Sequence, residues 1–520
     1  MNFGGLLADL PSKKSAIYTL ERGKAVRHSY AELAGDVARA QADLSRWGVK
    51  AGDRIGIFAP NSYRWLVYDL ALIATRAVSV PFTDDFAGKV NDDLLQQYDI
   101  ALLLLPKSLA KLFPAQTPHV AFMDAENDGV AALCRPASHD ADLADQLTLA
   151  FSSGSAGGLK GLVISREGVE ATLPPIVEAI GSTSSDRLLL FLPMSNFQQR
   201  TMCYAGLACD FDVIITDYIQ FFSAIKTLNP TILIAPPIYY QMIHTRFANF
   251  PAWKRWLWAG LGALISAVPG AAARRGLAQR AFAEIYQQFG GSMRILVTGM
   301  APIKRSVARF FAMIQLPLCE SYGLVETGSL TFRQAASKKY GSVGKPLRGV
   351  TIALAEDGEV IVRRDAFLTR RYFQCADGEN ERTFVASGSV ATGDIGRFDA
   401  DGYLYLMGRK KELIITPGGL KIHPEIIEEE LNCCPAVAQS VILAKPGGAQ
   451  LVAVVVLAQP GAEAEARVKA FAAQMPSARK VAPIGEIIFS AAPFSTENGM
   501  LRPNLKVDRR GIAANFKLSQ

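Results

Sequence analysis

Seven short apolar runs constrain this chain more than any other feature: RIGIFAP (54–60), AVSVPF (77–82), DIALLLL (99–105), LLLFLP (188–193), DVIITD (212–217), TILIAPP (231–237) and MRILVTG (293–299). Each is continuous rather than alternating, and stretches with helical spacing separate them. Continuous runs of Val, Ile and Leu suit strands buried on both faces with helices packed over them. The expectation is an α/β architecture built on mostly parallel sheet. At 520 residues the chain has room for about three core-bearing units, far more than a peptide module or small binding domain.

After Gly341 the texture changes. TIALAEDGEVIVRR sets Asp357-Gly358 between two β-like runs, and RFDADGYLYLM repeats the pattern around Asp401-Gly402. Both are hairpin signals, so about 341–408 is expected to form a smaller antiparallel subdomain. GRKKELIITPGG then opens a final α+β segment. In it Pro424 suits a first helical position, SVILAK and LVAVVVLA read as paired strands, and AEARVKAFAAQM reads as a covering helix.

Composition narrows the function. The net charge of +7, from 55 Lys and Arg against 48 Asp and Glu, is too mild to imply nucleic acid but compatible with anionic substrates. Seven cysteines form no CxxC pair and five histidines are scattered, so a zinc site is not expected and a reduced, cytoplasmic compartment is. No signal peptide is read at the start, and the apolar stretch Trp256–Pro269 is too short to span a bilayer. Trp253, Trp256 and Trp258 with Lys254 and Arg255 raise a choice between a helix packed on its own domain, which is preferred, and peripheral docking at a membrane.

The strongest local motif is LAFSSGSAGGLKGLVIS, from Leu149 to Ser165. Its glycines let backbone N–H groups converge on an anion, its serines add donors and Lys160 adds a charge. A second β-run follows where a Walker loop would start a helix, which disfavours P-loop kinases and GTPases. Alone, the segment reads equally well as a hairpin tip. Further motifs follow in order: CESYGLVETG (319–328), GSVGKPLRGV (341–350), TGDIG (392–396) and GRKKELIITPGGLKIHPEIIE (408–428).

Together these five segments resemble the signature motifs of the adenylate-forming (AMP-binding) superfamily. FPAWKRWLWAGLGALI, FGGSMRILVTGMAPIKRSVARFF and STENGMLRPNLK are similar to the long-chain fatty acyl-CoA synthetase branch. The resemblance implies a large N-terminal domain (1–408) that includes the small β-subdomain, a hinge (409–412) and a smaller mobile C-terminal domain (413–520). It implies ATP, Mg²⁺ and CoA as cofactors. A medium- or long-chain carboxylic acid would be activated to an acyl-AMP with release of pyrophosphate, then passed to CoA.

The same resemblance implies the residue roles. Ser152, Ser153, Gly154, Ser155, Ala156, Gly157 and Lys160 would cradle the phosphates. Gly299, Ala301, Pro302, Glu320, Ser321, Tyr322 and Gly323 would contact the nucleotide. Asp394 would accept the ribose hydroxyls, Arg409 would reach ribose or phosphate, and Glu326 would hold Mg²⁺. Lys411 would be the pivot, with Gly418, Gly419 and Leu420 lining the pantetheine channel. Outside the motif set, Glu326, Tyr322 and Asp394 would read as a loop carboxylate, a packing residue and a turn residue.

Several positions depart from the family pattern. Ala156 and Leu159 stand where a Thr and a Pro are usual, Val325 replaces a Thr, and Asn196 lies where a His is common. Each lost hydroxyl removes a donor worth about 1.5–3 kcal/mol against a charged group. Met500 follows Gly499 where many members carry the adenylation lysine, so Lys506 is expected to take that role. Two alternatives follow: delivery to an acyl-carrier protein or to an internal hydroxyl, as in β-lactone synthetases, and a nucleotide- or acyl-binding homologue without catalysis.

Overall fold

The computed structural model describes residues 2–82, 86, 91–112, 119–124, 133, 145–153, 159–248, 250–385, 388–417, 419–445, 450–476, 483–502 and 507–518. All seven apolar runs contain strands, and they divide between two sheets. The first has nine strands in the order Lys345–Pro346, Gly328–Arg333, Leu318–Leu324, Ile295–Thr298, Ile232–Ala235, Arg187–Leu190, Asp212–Ile215, Ala16–Glu21 and Lys24–Ser29. Its five middle pairs of neighbours, from Leu318–Leu324 to Ala16–Glu21, are parallel, and antiparallel strands close both ends. The second has seven strands: Thr369–Phe373, Leu159–Ser165, Gln146–Ser153, Val78–Pro81, Arg54–Ile57, Ile100–Leu105 and Val120–Phe122. Strands such as Ile100–Leu105 and Ile295–Thr298 are buried along their whole length, which is why their sequences are apolar without alternation.

Helix Tyr63–Thr75 is buried on nearly every side, so its sequence is apolar all round. The one carboxylate it buries, Asp69, faces Arg200 of helix Phe197–Cys209 at 3.2 Å and accepts a 2.5 Å bond from the Tyr204 hydroxyl. Asn196, at the family's His position, caps that second helix by accepting the Gln198 N–H at 3.1 Å.

The small antiparallel sheet contains Thr351–Leu354, Glu359–Arg363, Ser389–Phe398, Phe384–Val385 and Leu404–Arg409. Asp357-Gly358 turns its first hairpin, with Gly358 at φ +83° as a left-handed turn position requires. Two strands within 341–408 leave this sheet. Lys345–Pro346 pairs with Gly328–Arg333, and Thr369–Phe373 pairs with Leu159–Ser165. The second exchange is enforced by packing: Thr369 and Tyr372 are buried, and a Cβ at Gly161 would lie 3.2 Å from that of Phe373.

The final segment has its own apolar clusters, centred on Ile427, Leu431 and Val455 and on Val441, Met500 and Ile512. Its strands Val437–Ala444 and Leu451–Leu457 pair antiparallel, Ile484–Ser490 adds in parallel, and helix Ala462–Gln474 packs alongside. Helix Pro424–Leu431 starts on Pro424, with Glu425 in its first turn. No described helix is long and apolar enough to cross a membrane.

Candidate functional site

The antiparallel hairpin Gln146–Ser165 presents Lys160. Its turn, Gly154, Ser155, Ala156 and Gly157 with Gly158, lies outside the described residues, as do the side chains of Ser152, Ser153 and Leu159. The Lys160 ammonium pairs with the Glu379 carboxylate and sits 5.1 Å from the centre of the Tyr372 ring. The Tyr372 hydroxyl donates to Glu326 Oε1 at 2.8 Å. Backbone contacts fix this crossing. Thr369 N–H donates to the Glu326 carbonyl at 3.1 Å, and its hydroxyl donates to the Val325 carbonyl at 2.8 Å.

Four residues before Glu326, Tyr322 lies buried in strand Leu318–Leu324 and directs its hydroxyl to Asp394 Oδ2 at 2.6 Å. Burial and this carboxylate push the phenol well above its ordinary value. Asp394 faces Arg409 directly across an antiparallel pair, and Arg409 Nε reaches Asp394 Oδ1 at 2.7 Å. Thr392 Oγ accepts the Asp394 N–H at 3.1 Å, so the TGD turn orients its own carboxylate. Lys160, Glu326, Tyr322, Asp394 and Arg409, spread over 250 positions, thus form one array whose cross-links are Tyr372 and the strand register.

The remaining positions divide. A Cβ at Gly299 would lie 2.8 Å from the Ser321 carbonyl, and one at Gly323 would lie 2.2 Å from the Gly328 carbonyl, so both glycines allow close backbone approach. Ala301 and Pro302 are exposed. Ser321 donates to the Thr331 carbonyl at 3.2 Å. Glu320 is buried against Arg333, its register partner, at 3.4 Å; burial pushes its carboxyl up to about 7. That side chain serves the sheet.

At the junction with the final segment, Lys411 is exposed between two anchored neighbours. Lys410 pairs with Asp357 at 2.7 Å and Glu359 at 2.6 Å in the small sheet, while Glu412 pairs with Arg509 of the last helix at 2.9 Å. Gly419 (φ +78°) and Leu420 sit at an exposed tip closed by Thr416, and Gly418 lies outside the described residues. Met500 is 7% exposed within an apolar cluster, so it supplies core rather than chemistry. Lys506 also lies outside the described residues.

Tyr372 and Glu379 escaped sequence reasoning. They belong to no motif. Lys304 and Arg305 were missed too. The first donates to the Ala438 carbonyl at 2.8 Å and the second pairs with Glu429 at 2.7 Å, tying the large sheets to the final segment.

An implied Mg²⁺ can be tested on the donor set. Among the described residues no group of three or more His, Cys, Asp or Glu could cage a metal. Glu326, a single carboxylate joined through Tyr372 to the hairpin that carries Lys160, fits an ion held mostly by phosphate oxygens and water, which is how Mg²⁺ is usually bound.

Comparison with known proteins finds relatives over nearly the whole chain. The long-chain-fatty-acid–CoA ligase FadD15 of Mycobacterium bovis is 27% identical over 94% of this chain and 90% of its own length. ATP-bound MatB from Rhodopseudomonas palustris superposes with a TM-score of 0.75 at 20% identity, over 99% of both chains. The o-succinylbenzoate CoA synthetase MenE of Bacillus subtilis, in complex with its acyl-adenylate intermediate, superposes with 0.73 at 20% identity, over 98% of this chain and 97% of its own. The AMP-binding enzyme family matches residues 8–372, and with the motif residues assembled as described, the chain belongs to that family.

Proposed function

We propose that this protein is an acid–thiol ligase that activates a medium- or long-chain fatty acid with ATP and transfers it to CoA. The observation that carries the reading is the continuous array from Lys160 through Tyr372 and Glu326 to Tyr322, Asp394 and Arg409. The fatty-acid preference is supported by the likeness to a long-chain-fatty-acid–CoA ligase over nearly the whole chain.

In the first step a carboxylate oxygen bonds to the α-phosphorus of ATP, and the bond from that phosphorus to the bridging oxygen breaks, releasing pyrophosphate. Two anions must meet, so the site has to screen charge. Lys160 and the 152–157 loop do so at the phosphates, and Asp394 accepts ribose hydroxyls beside Arg409. Glu326 would hold Mg²⁺, which would supply counter-charge to the phosphates. Lys506 supplies the cation at the bridging oxygen that the buried Met500 does not. In the second step the CoA sulfur bonds to the acyl carbon, AMP leaves with the electron pair, and the thiol proton is lost to water. For that step residues 413–520 pivot at Lys411 against 1–408, bringing Gly418, Gly419 and Leu420 beside the acyl group. The six described cysteines are free thiols, in keeping with a cytoplasmic setting.

The test is incubation with ATP, Mg²⁺ and a panel of carboxylic acids, with and without CoA, following pyrophosphate and identifying products by mass. Acyl-CoA formed only when CoA is present is the expected result. Acyl-AMP that accumulates and ignores CoA would redirect the second step to a carrier protein or an internal hydroxyl. ATP binding without pyrophosphate from any acid would overturn the catalytic reading.

A further inference from the structure

Helix Ala252–Ala267 has two apolar faces, and only one is used by the fold. Trp258, Gly262 and Ile265 face inward. Trp258 packs on Phe247, Phe250 and Phe282 with ring centres 5.5, 5.4 and 5.0 Å away, and a Cβ at Gly262 would lie 2.5 Å from Met313 Cγ. The preferred packed helix therefore accounts for Trp258, and the grouping of three tryptophans divides. Trp253, Trp256, Leu257 and Leu264 follow one another at helical spacing on the other side, 68%, 79%, 53% and 70% exposed. Trp47, Trp65 and Trp258 are all buried, so the two tryptophans that reach solvent share this stripe.

Charge selects the occupant. From Arg246 to Ala283 the chain carries Arg246, Lys254, Arg255, Arg274, Arg275 and Arg280 and no Asp or Glu. Arg274 and Arg275 donate to the neutral carbonyls of Val268 and Met293 rather than to a carboxylate, and Lys254 meets Glu284 at 3.7 Å. A helix with tryptophans on one face and basic residues about it lies in the plane of an anionic bilayer surface, rings at headgroup depth. We propose that the outer face of Ala252–Ala267 docks this protein on anionic lipid. The inference stands on this surface alone and does not depend on the chemistry proposed above.

The experiment is co-sedimentation of the full-length protein with vesicles of phosphatidylcholine, alone or with about 30% phosphatidylglycerol, read alongside tryptophan emission. The expected result is partition onto the anionic vesicles, weakened by salt, with a blue shift. Trp253→Ser/Trp256→Ser lowers that partition about tenfold, Lys254→Gln/Arg255→Gln weakens it only on anionic vesicles, and Arg467→Gln, exposed on another helix, leaves it unchanged. Quenching of wild-type emission by bromolipids is expected and is independent of how any variant folds. No wild-type partition, no bromolipid quenching, or an undiminished double variant would overturn the proposal. A wild-type dimer that the tryptophan variant dissolves in sedimentation velocity would assign the face to a second copy instead, and would equally overturn it.

Discussion

The substitution Glu379→Gln removes the carboxylate that pairs with Lys160, the residue proposed above to meet the phosphates of ATP. Lys160 and Glu379 are 20% and 14% exposed and form a direct ion pair beneath the Tyr372 ring. For Lys160 to meet the phosphates of ATP it must give up that partner. A hydrogen bond to a charged group contributes about 1.5–3 kcal/mol, and residual exposure places this one near the lower bound. At about 1.4 kcal/mol per decade, ATP affinity should rise about tenfold in the variant, against the usual direction for a mutation in a binding site. Glutamine keeps the size and a weaker acceptor, so the neighbouring Asn380, whose side-chain oxygen accepts the Tyr372 N–H at 2.7 Å, stays in place. Isothermal titration with ATP and Mg²⁺ reads the effect, with Lys160→Met as the arm that loses affinity in either background. Unchanged or weaker binding by Glu379→Gln would refute the reasoning and make Glu379 a contributor to the nucleotide site.

Asp394→Asn should weaken ATP binding about 10- to 100-fold by titration, because the site loses the charge that Arg409 and Tyr322 are arranged around. Met500→Lys, which restores the common family residue in sequence, should not raise pyrophosphate release. It should lower stability by about 2–4 kcal/mol in urea unfolding, because the position lies among Val441, Val454 and Ile512. Asp69→Asn should cost about 3–5 kcal/mol by the same measurement, since Arg200 is left charged and buried. Burial, with Lys304 nearby, pushes His244 down to about 4 from 6.5. Between those values the unfolded chain binds the extra proton, so stability is full above pH 6.5 and falls by about 3 kcal/mol towards pH 4. His244→Gln should flatten that part of the stability–pH profile.

The sequence alone carried the α/β class, because strands buried on both faces must be continuous apolar runs, and each of the seven runs contains a strand. It also carried the hairpin turn at Asp357-Gly358, where the residue type follows from a left-handed φ. The motif residues were legible because their chemistry needs fixed types at fixed spacing. Tertiary structure alone decided how those runs divide between two sheets, since pairing partners lie far apart in sequence and any buried strand accepts another apolar neighbour. Only it drew Thr369–Phe373 out of the small sheet to put Tyr372 between Lys160 and Glu326, gave Lys160 its partner Glu379, and buried Trp258 while leaving Trp253 and Trp256 in solvent. A helix face is apolar in sequence whether it meets a core or nothing, and what it packs against is set by elements distant along the chain.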